Sequence, residues 1–470
     1  MTSIDAPGTP KVSTTIEGGC QSPGQLTTDE STCAPAGATP AERSSSSLSS
    51  LAVLCTACRA SEPSRADAPG SAPTLQFQVF GDPAEITAYR ELVAAFEQRT
   101  PDVKVGFIPV GNQRDHMAKL TTGFAGGDQP DVFLINFRRF GQFADKDVLD
   151  ELGPRLSERG HLKESDLYEQ SAEAFRYNGK LMCIPQNISS LVVYYNRALF
   201  EQAKVPPPKP DWKWNDFLSA AKALTKDLDG DGKNDVYRLG FEPVLIRVAP
   251  FVWQAGGDIV DNLQRPSRFT LDEAGARQAL DFIHSWQTTH KIVPTHAEYE
   301  SESLDARFSR GGLGMLLQSR RFTATLRMVP NLDWDVAPLP GQQAAATVLH
   351  SDAFCLAKSS PRKEAAYRFI EFVMGTEGST LLSKTGRTVP SVKSVAEGPA
   401  FLDPSAPPRS ARVFLDVIPT IRRTPNIAAW NEIESRVDPM IEDWFYSQGQ
   451  REPIGREVQQ AVGNLLTRHE

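Results

Sequence analysis

From Leu75 onward, apolar and polar residues follow a regular plan. Leu75, Phe77 and Val79 alternate with Gln76 and Gln78, the two-residue period of a strand, and a Gly-Asp-Pro turn at 81–83 ends the run. Ile86, Tyr89, Leu92, Val93 and Phe96 then recur three and four residues apart, which predicts a helix over 85–99 stopped by Pro101. VKVGFIPV (103–110) predicts a second strand, residues 115–124 a second helix, and PDVFLINF (130–137) a third strand. The unbroken apolar run of that third strand suits a parallel sheet covered on both faces. Alternating strands and helices make an α/β fold with right-handed crossovers, in which ligands lie beyond the C-terminal strand ends. That rule directs attention to Gly81 and Asp82 after the first strand and to Asn136, Phe137 and Arg138 after the third.

A second series of elements begins at MCIPQNISSLVVYYNRALF (182–200), two strand-like runs around a polar pause at Gln186–Ser190. A helix over 196–203 ends at the proline-rich VPPPKP, and the next helix opens at a cap-like Asp216. FVWQAGGDIVD (251–261) predicts a helix ending in a Gly-Gly turn, and Leu313–Leu317 a strand. VLHSDAFCLA (348–357) returns as a strand, an amphipathic helix follows it, and helices including AAWNEIESRVDPMIEDWF (428–445) close the chain. No internal repeat is present.

Composition narrows the function classes. The 470 residues suffice for two or three domains, with 40% hydrophobic and 23% charged residues as in soluble globular proteins. A formal charge of −8 without a basic run argues against nucleic acid as a partner. No apolar run reaches the ~18–20 residues that span a bilayer. Residues 1–47 are rich in Pro, Gly, Ser and Thr and cannot build a core. The short apolar stretch from Arg43 to Cys58 predicts a secretory signal within a disordered tail at 1–58, and its LCTAC ending resembles a bacterial lipobox. Cys58 would then carry lipid, and 59–73 would be a polar tether. Of the remaining cysteines, Cys183 and Cys355 lie in apolar strand-like runs, able to pair outside the cytoplasm or to remain two buried thiols.

Several stretches in order carry a resemblance: VFGDPAE, PDVFLINFRRF, CIPQNISSLVVYYNRALF, WKWNDF, DLDGDGKNDVYRLGF, VWQAGGDIVD, FSRGGLGMLL, HSDAFCLAKSSPRKEAAYRFIEFV, TGRTVPSVKSV and TPNIAAWNEI. Together they resemble the family 1 extracellular solute-binding proteins, the maltose-binding-protein-like sugar receptors of bacterial ABC importers. The resemblance implies a type II periplasmic binding protein fold, two α/β lobes closing on a sugar. Lobe 1 would comprise 74–188 and 352–405, lobe 2 190–350 and 412–470, with crossovers near 186–191, 348–353 and 404–413. It also implies a disulfide between Cys183 and Cys355 within lobe 1, because the hinge strands carrying them run side by side. The expected partners are a sugar or sugar derivative, ABC permease subunits and the membrane through a lipid anchor. A monomer without cofactor is expected, at an extracytoplasmic location.

Sugar recognition calls for aromatic faces against the pyranose ring and planar polar groups that bond neighbouring hydroxyls. Asp82 and Glu85 form the first candidate pair, with helix capping the alternative role of Asp82. Asn136, Arg138, Asn187 and Asp352 follow strand ends or sit at the hinge. Trp253, Gly256, Gly257 and Asp258 correspond to an aromatic and a close-approaching backbone in the family. One of Tyr194 and Tyr195 would face the cleft, with Tyr195 the candidate; Trp430 resembles a late stacking aromatic, and Arg387 a rim arginine. Where relatives place an aromatic turn after GLGMLL, this chain has Arg320 and Arg321, a departure that suits a carboxylate or phosphate as readily as a surface.

Catalytic signatures are missing: no HExxH, GxSxG or phosphate-loop spacing occurs, so no enzyme is expected. The competing reading is an extracellular carbohydrate-active enzyme using cleft carboxylates. Asp227, Asp229 and Asp231 imitate a calcium loop, yet the twelfth position is Arg238 where a bidentate Glu belongs. A plain Asp/Gly/Asn turn is the expected role, with a structural cation the alternative.

Overall fold

The computed structural model describes residues 74–159, 162–224, 237–448 and 454–468. The tail with Cys58, the tether, and the acidic loop with Asp227, Asp229 and Asp231 lie outside the described residues.

The chain enters through β1 (Thr74–Phe80), and helix α1 (Pro83–Arg99) follows. The helix begins two residues before the predicted start because Asp82 caps it. The Asp82 side chain accepts the Ala84 and Glu85 backbone N–H groups, and Glu85 reaches back to the Asp82 N–H, a reciprocal capping box. Strand β2 (Lys104–Val110), helix α2 (Gln113–Gly126), strand β3 (Val132–Asn136) and helix α3 (Phe137–Asp145) continue the alternation. A small hairpin, β4 (Arg176–Tyr177) and β5 (Lys180–Leu181), precedes β6 (Ile184–Pro185). Then the chain leaves this layer along β7 (Ser189–Asn196), every residue of which is buried.

Around β7 a second sheet assembles from β8 (Tyr237–Gly240), β9 (Leu313–Ser319), β10 (Trp334–Ala337) and β11 (Thr347–His350). After Ser351 the chain returns to the first sheet as β12 (Asp352–Leu356), and β13 (Ile421–Arg422) later joins the second. The first sheet runs β2-β1-β3-β12-β6 and the second β13-β11-β7-β9-β8, with β10 also on β7. Strands β1, β2 and β3 are parallel, and β12 is antiparallel to β3. This is a mixed α/β, two-lobed molecule with one large sheet in each lobe.

Two packed clusters form the interior, and β7 shows how they divide. Val192 and Tyr194 point into the cluster shared with the first lobe, whereas Leu191, Val193 and Tyr195 point into the second. The two-residue strand period thus gives each face of one strand to a different core. The second cluster is rich in aromatics, among them Trp214 stacked on Phe282 with centroids 4.3 Å apart. Asp216 is not the cap of its helix: it sits three residues in and accepts the Lys213 N–H at 2.9 Å.

The two crossovers lie side by side. Leu349 and His350 pair with Ser190 and Ser189 on one side, and Ala353 and Phe354 with Pro185 and Ile184 on the other. Ser351 Oγ donates to the Asn187 carbonyl at 2.6 Å, and the Gln186 N–H to the Asp352 carbonyl at 2.8 Å. Cys183 and Cys355 are joined by a disulfide beside this junction. A third passage leads from Phe401, in the first core, to Ser410, whose N–H and Oγ both donate to Asp335 of β10 at 2.9 Å.

Candidate functional site

A polar cleft of about 430 Å³ opens at the paired crossovers. Residues at strand ends and helix starts build it, where side chains project beyond the sheets. Phe80, Glu85, Asn136, Arg138 and Arg139 line it from the first lobe. Glu242, Arg247, Gln318, Arg321 and Asp438 face them from the second. Asn187, His350 and Asp352 form the floor at the crossovers.

Asp352 anchors that floor. Its carboxylate accepts from Asn136 Nδ2 at 3.0 Å and from Asn187 Nδ2 at 3.3 Å, while Asn187 Oδ1 accepts the Asp352 N–H at 3.1 Å. Burial pushes its pKa up to about 6, with the two amide hydrogen bonds opposing and the nearby Glu85 charge adding to the rise. Asn136 Oδ1 also accepts the Arg138 N–H at 3.2 Å, so one amide both caps α3 and fixes the carboxylate.

Helix α4 (Leu245–Gln254) starts the opposite wall. Its own N-cap residue, Val244, has no side-chain acceptor, and Asp438 from a distant segment takes the Leu245 N–H at 2.9 Å. Burial raises the Asp438 pKa to about 6. Arg247 donates through Nη2 to Gln318 Oε1 at 2.9 Å, lies 3.3 Å from Glu242, and points Nη1 at His350 Nε2 at 3.5 Å. Gln318 in turn donates to Asp305 Oδ1 at 3.0 Å. His350 is held well below its ordinary pKa, first by burial and then by Arg247, Arg138 and Arg321.

Helix α5 (Trp430–Tyr446) ties the two walls together. Arg138 and Arg139 of α3 each approach Glu434 Oε2 at 3.0 Å, and Trp430 Nε1 donates to Glu434 Oε1 at 3.0 Å. The Glu434 side chain is 3% exposed, so one carboxylate neutralises two guanidiniums out of solvent. Nearby, Gly141 of α3 meets the chain just before α5 so closely that a Cβ would lie 2.8 Å from the Asn426 carbonyl oxygen.

Of the residues singled out in the sequence, Glu85, Asn136, Arg138, Asn187 and Asp352 line this cleft together. Asp82 does not line it; it caps α1 and pairs with Arg387, whose Nε lies 3.0 Å from Glu85. Trp430 is fully buried against Glu434, and Tyr195 is 6% exposed beside Phe200. Trp253 is buried in the second core, bonded to Asp258 at 3.0 Å and covered by the Arg422 guanidinium 5.0 Å from its ring centre. Gly257 packs against the backbone of Gly275 and Ala276, and Gly256 faces Gln343, so their close approaches are made within the lobe. Arg320 is buried between Phe401 and Phe414 with Nε bonded to the Gly386 carbonyl, and burial lowers its pKa to about 9. Sequence reasoning passed over Glu242, Arg247, Gln318, His350 and Asp438. The strand-end rule would have found two of them: Glu242 follows β8, and Gln318 lies near the C-terminal end of β9.

The model of the bacterial extracellular solute-binding protein family matches residues 81–380. The chain belongs to that family. An uncharacterised lipoprotein from Streptomyces antibioticus is 26% identical over 368 residues, 75% of this chain and 77% of that one. Among solved structures, an ABC substrate-binding protein from Listeria monocytogenes in complex with cycloalternan superposes with a TM-score of 0.76 at 25% identity, covering 84% of this chain and 99% of that one. The sugar-binding protein MalE from Xanthomonas citri gives 0.73 at 21% identity, over 84% and 97%. The cleft described above lies where the two sheets exchange strands.

Proposed function

We propose that the chain is the extracytoplasmic substrate-binding component of an ABC importer, capturing a carbohydrate between its lobes and delivering it to a membrane permease. One observation carries the reading: a polar cleft whose walls come from both lobes and whose floor is the pair of crossover strands. A ligand touching both walls favours the closed arrangement by its differential contacts, which is how binding becomes a signal to a partner. The relatives in complex with cycloalternan and named for sugar binding support a carbohydrate as the cargo. The site within this reading is Glu85, Asn136, Arg138, Asn187 and Asp352 from the sequence, joined by Glu242, Arg247, Gln318 and Arg321. A signal with lipid on Cys58 would hold the receptor at the membrane, and the Streptomyces lipoprotein relative supports that arrangement. Mass spectrometry of the mature N-terminus tests it. A thermal-shift screen of purified chain against oligosaccharides tests the binding function. Stabilisation with the sugar recovered intact is expected, and turnover of the sugar would overturn the receptor reading.

A further inference from the structure

The cleft does not end at its second wall. A further compartment of about 440 Å³ continues from it, and the two share Glu242, Arg247, Gln318 and Arg321 as a common threshold. Tyr299, Glu300 and Asp305 line the far side. A ligand extending through both compartments must pass over the threshold.

The charged groups around this path are committed unequally. Glu85 pairs with Arg387, Asp352 holds the Asn136 and Asn187 amides, and Asp438 takes the Leu245 N–H. Arg138 and Arg139 share Glu434. Arg247 is fixed by Gln318 and Glu242, and Asp305 by Gln318. Arg321 differs: it is exposed, lines both compartments, and makes no hydrogen bond or ion pair with any described residue. Two guanidiniums therefore meet one carboxylate, Glu242, at the threshold. His350 sits beside them with its pKa held down first by burial and then by Arg247, Arg138 and Arg321. Stacking rings are scarce here: Phe80 is the one Phe, Tyr or Trp among the described residues of the first compartment, and Tyr299 among those of the second.

We infer that Arg321, with Arg247 beside it, recognises an acidic group on the ligand, so that the cargo is a sugar or polyol bearing a carboxylate or a phosphate. The inference rests on the solute-binding reading above and adds the ligand's charge to it. A guanidinium offers paired donors that match either anion, and such charge-assisted bonds are about twice as strong as neutral ones. The acid sits on the cleft side of the threshold, near Arg321 and His350. The hydroxyl-bearing remainder extends toward Glu300, Asp305 and the Tyr299 ring.

The test is calorimetric titration of the full chain with three probes. These are a glucuronate-containing disaccharide, the neutral disaccharide of the same linkage, and a sugar phosphate. One acidic probe should bind at least ~10-fold more tightly than the neutral one, and which acid does so separates carboxylate from phosphate. Its affinity should fall with added salt. In Arg321→Gln the ratio of acidic to neutral affinity should collapse by about 10-fold, with partial recovery in Arg321→Lys. Binding of the acidic probe should also raise the His350 pKa, read as proton uptake in buffers of different ionisation enthalpy. A neutral sugar binding as tightly as both acids, with Arg321→Gln leaving the ratio unchanged, overturns the charge assignment and leaves the receptor function standing. Binding of none of these or of any carbohydrate overturns both.

Discussion

Replacing Glu434 by Gln tests whether the contact between α3 and α5 holds the lobes together. The substitution keeps the shape and leaves an oxygen to accept from Trp430 Nε1, but it removes the only carboxylate within 4 Å of Arg138 and Arg139 among the described residues. Both guanidiniums are 18% exposed at the side chain, and burial already pulls the Arg139 pKa down. Breaking a buried ion pair from one side costs about 3–5 kcal/mol, because the remaining charge is left uncompensated. With an unfolding entropy of about 2.1 cal/mol/K per residue, the 376 described residues lose about 4–6 °C in Tm if they unfold together. Differential scanning calorimetry reads that loss, and small-angle scattering reads the accompanying rise in radius of gyration as the lobes separate. The double variant Arg139→Gln/Glu434→Gln should recover part of the loss, since one cation then no longer needs a counter-ion. A Tm within about 1 °C of the parent, with unchanged scattering, would refute the reasoning and reduce the cluster to surface charge.

Further outcomes follow from individual contacts. Asp352 has a pKa near 6 in the folded chain against about 3.8 unfolded, so folding takes up a proton between those values. Stability should therefore rise as pH falls from about 7 to 4, and Asp352→Asn should lose up to about 3 kcal/mol of that rise, measured by urea unfolding at the two pH values. Gly141→Ala should cost about 1–3 kcal/mol and open the cleft in scattering, because its Cβ would press on the Asn426 and Ile427 backbone. Replacing Cys183 and Cys355 together by Ser releases a loop with a sequence separation of 172 and should cost about 2–5 kcal/mol in chemical unfolding; equal midpoints for both proteins under oxidising conditions would contradict this.

The sequence by itself determined what depends on neighbours along the chain. Alternation at Leu75, Phe77 and Val79 makes β1, helical spacing from Ile86 to Phe96 makes α1, and the polar pause at Gln186–Ser190 marks a crossover. Strand ends also pointed to Asn136 and Arg138, which line the cleft, and to Asp82 and Phe137, which do not. Tertiary structure decided which aromatic faces inward. Trp253, Tyr195 and Trp430 carry large apolar surfaces, and all three enter the second core, with Arg422 closing over Trp253 from a distant part of the chain. The same holds for Arg320 and Arg321, adjacent in sequence and alike in chemistry. One is buried between two phenylalanines and the other stands open to the cleft. Adjacent side chains leave the backbone in different directions, so charge is written in the sequence, while its destination is fixed only when the lobes pack.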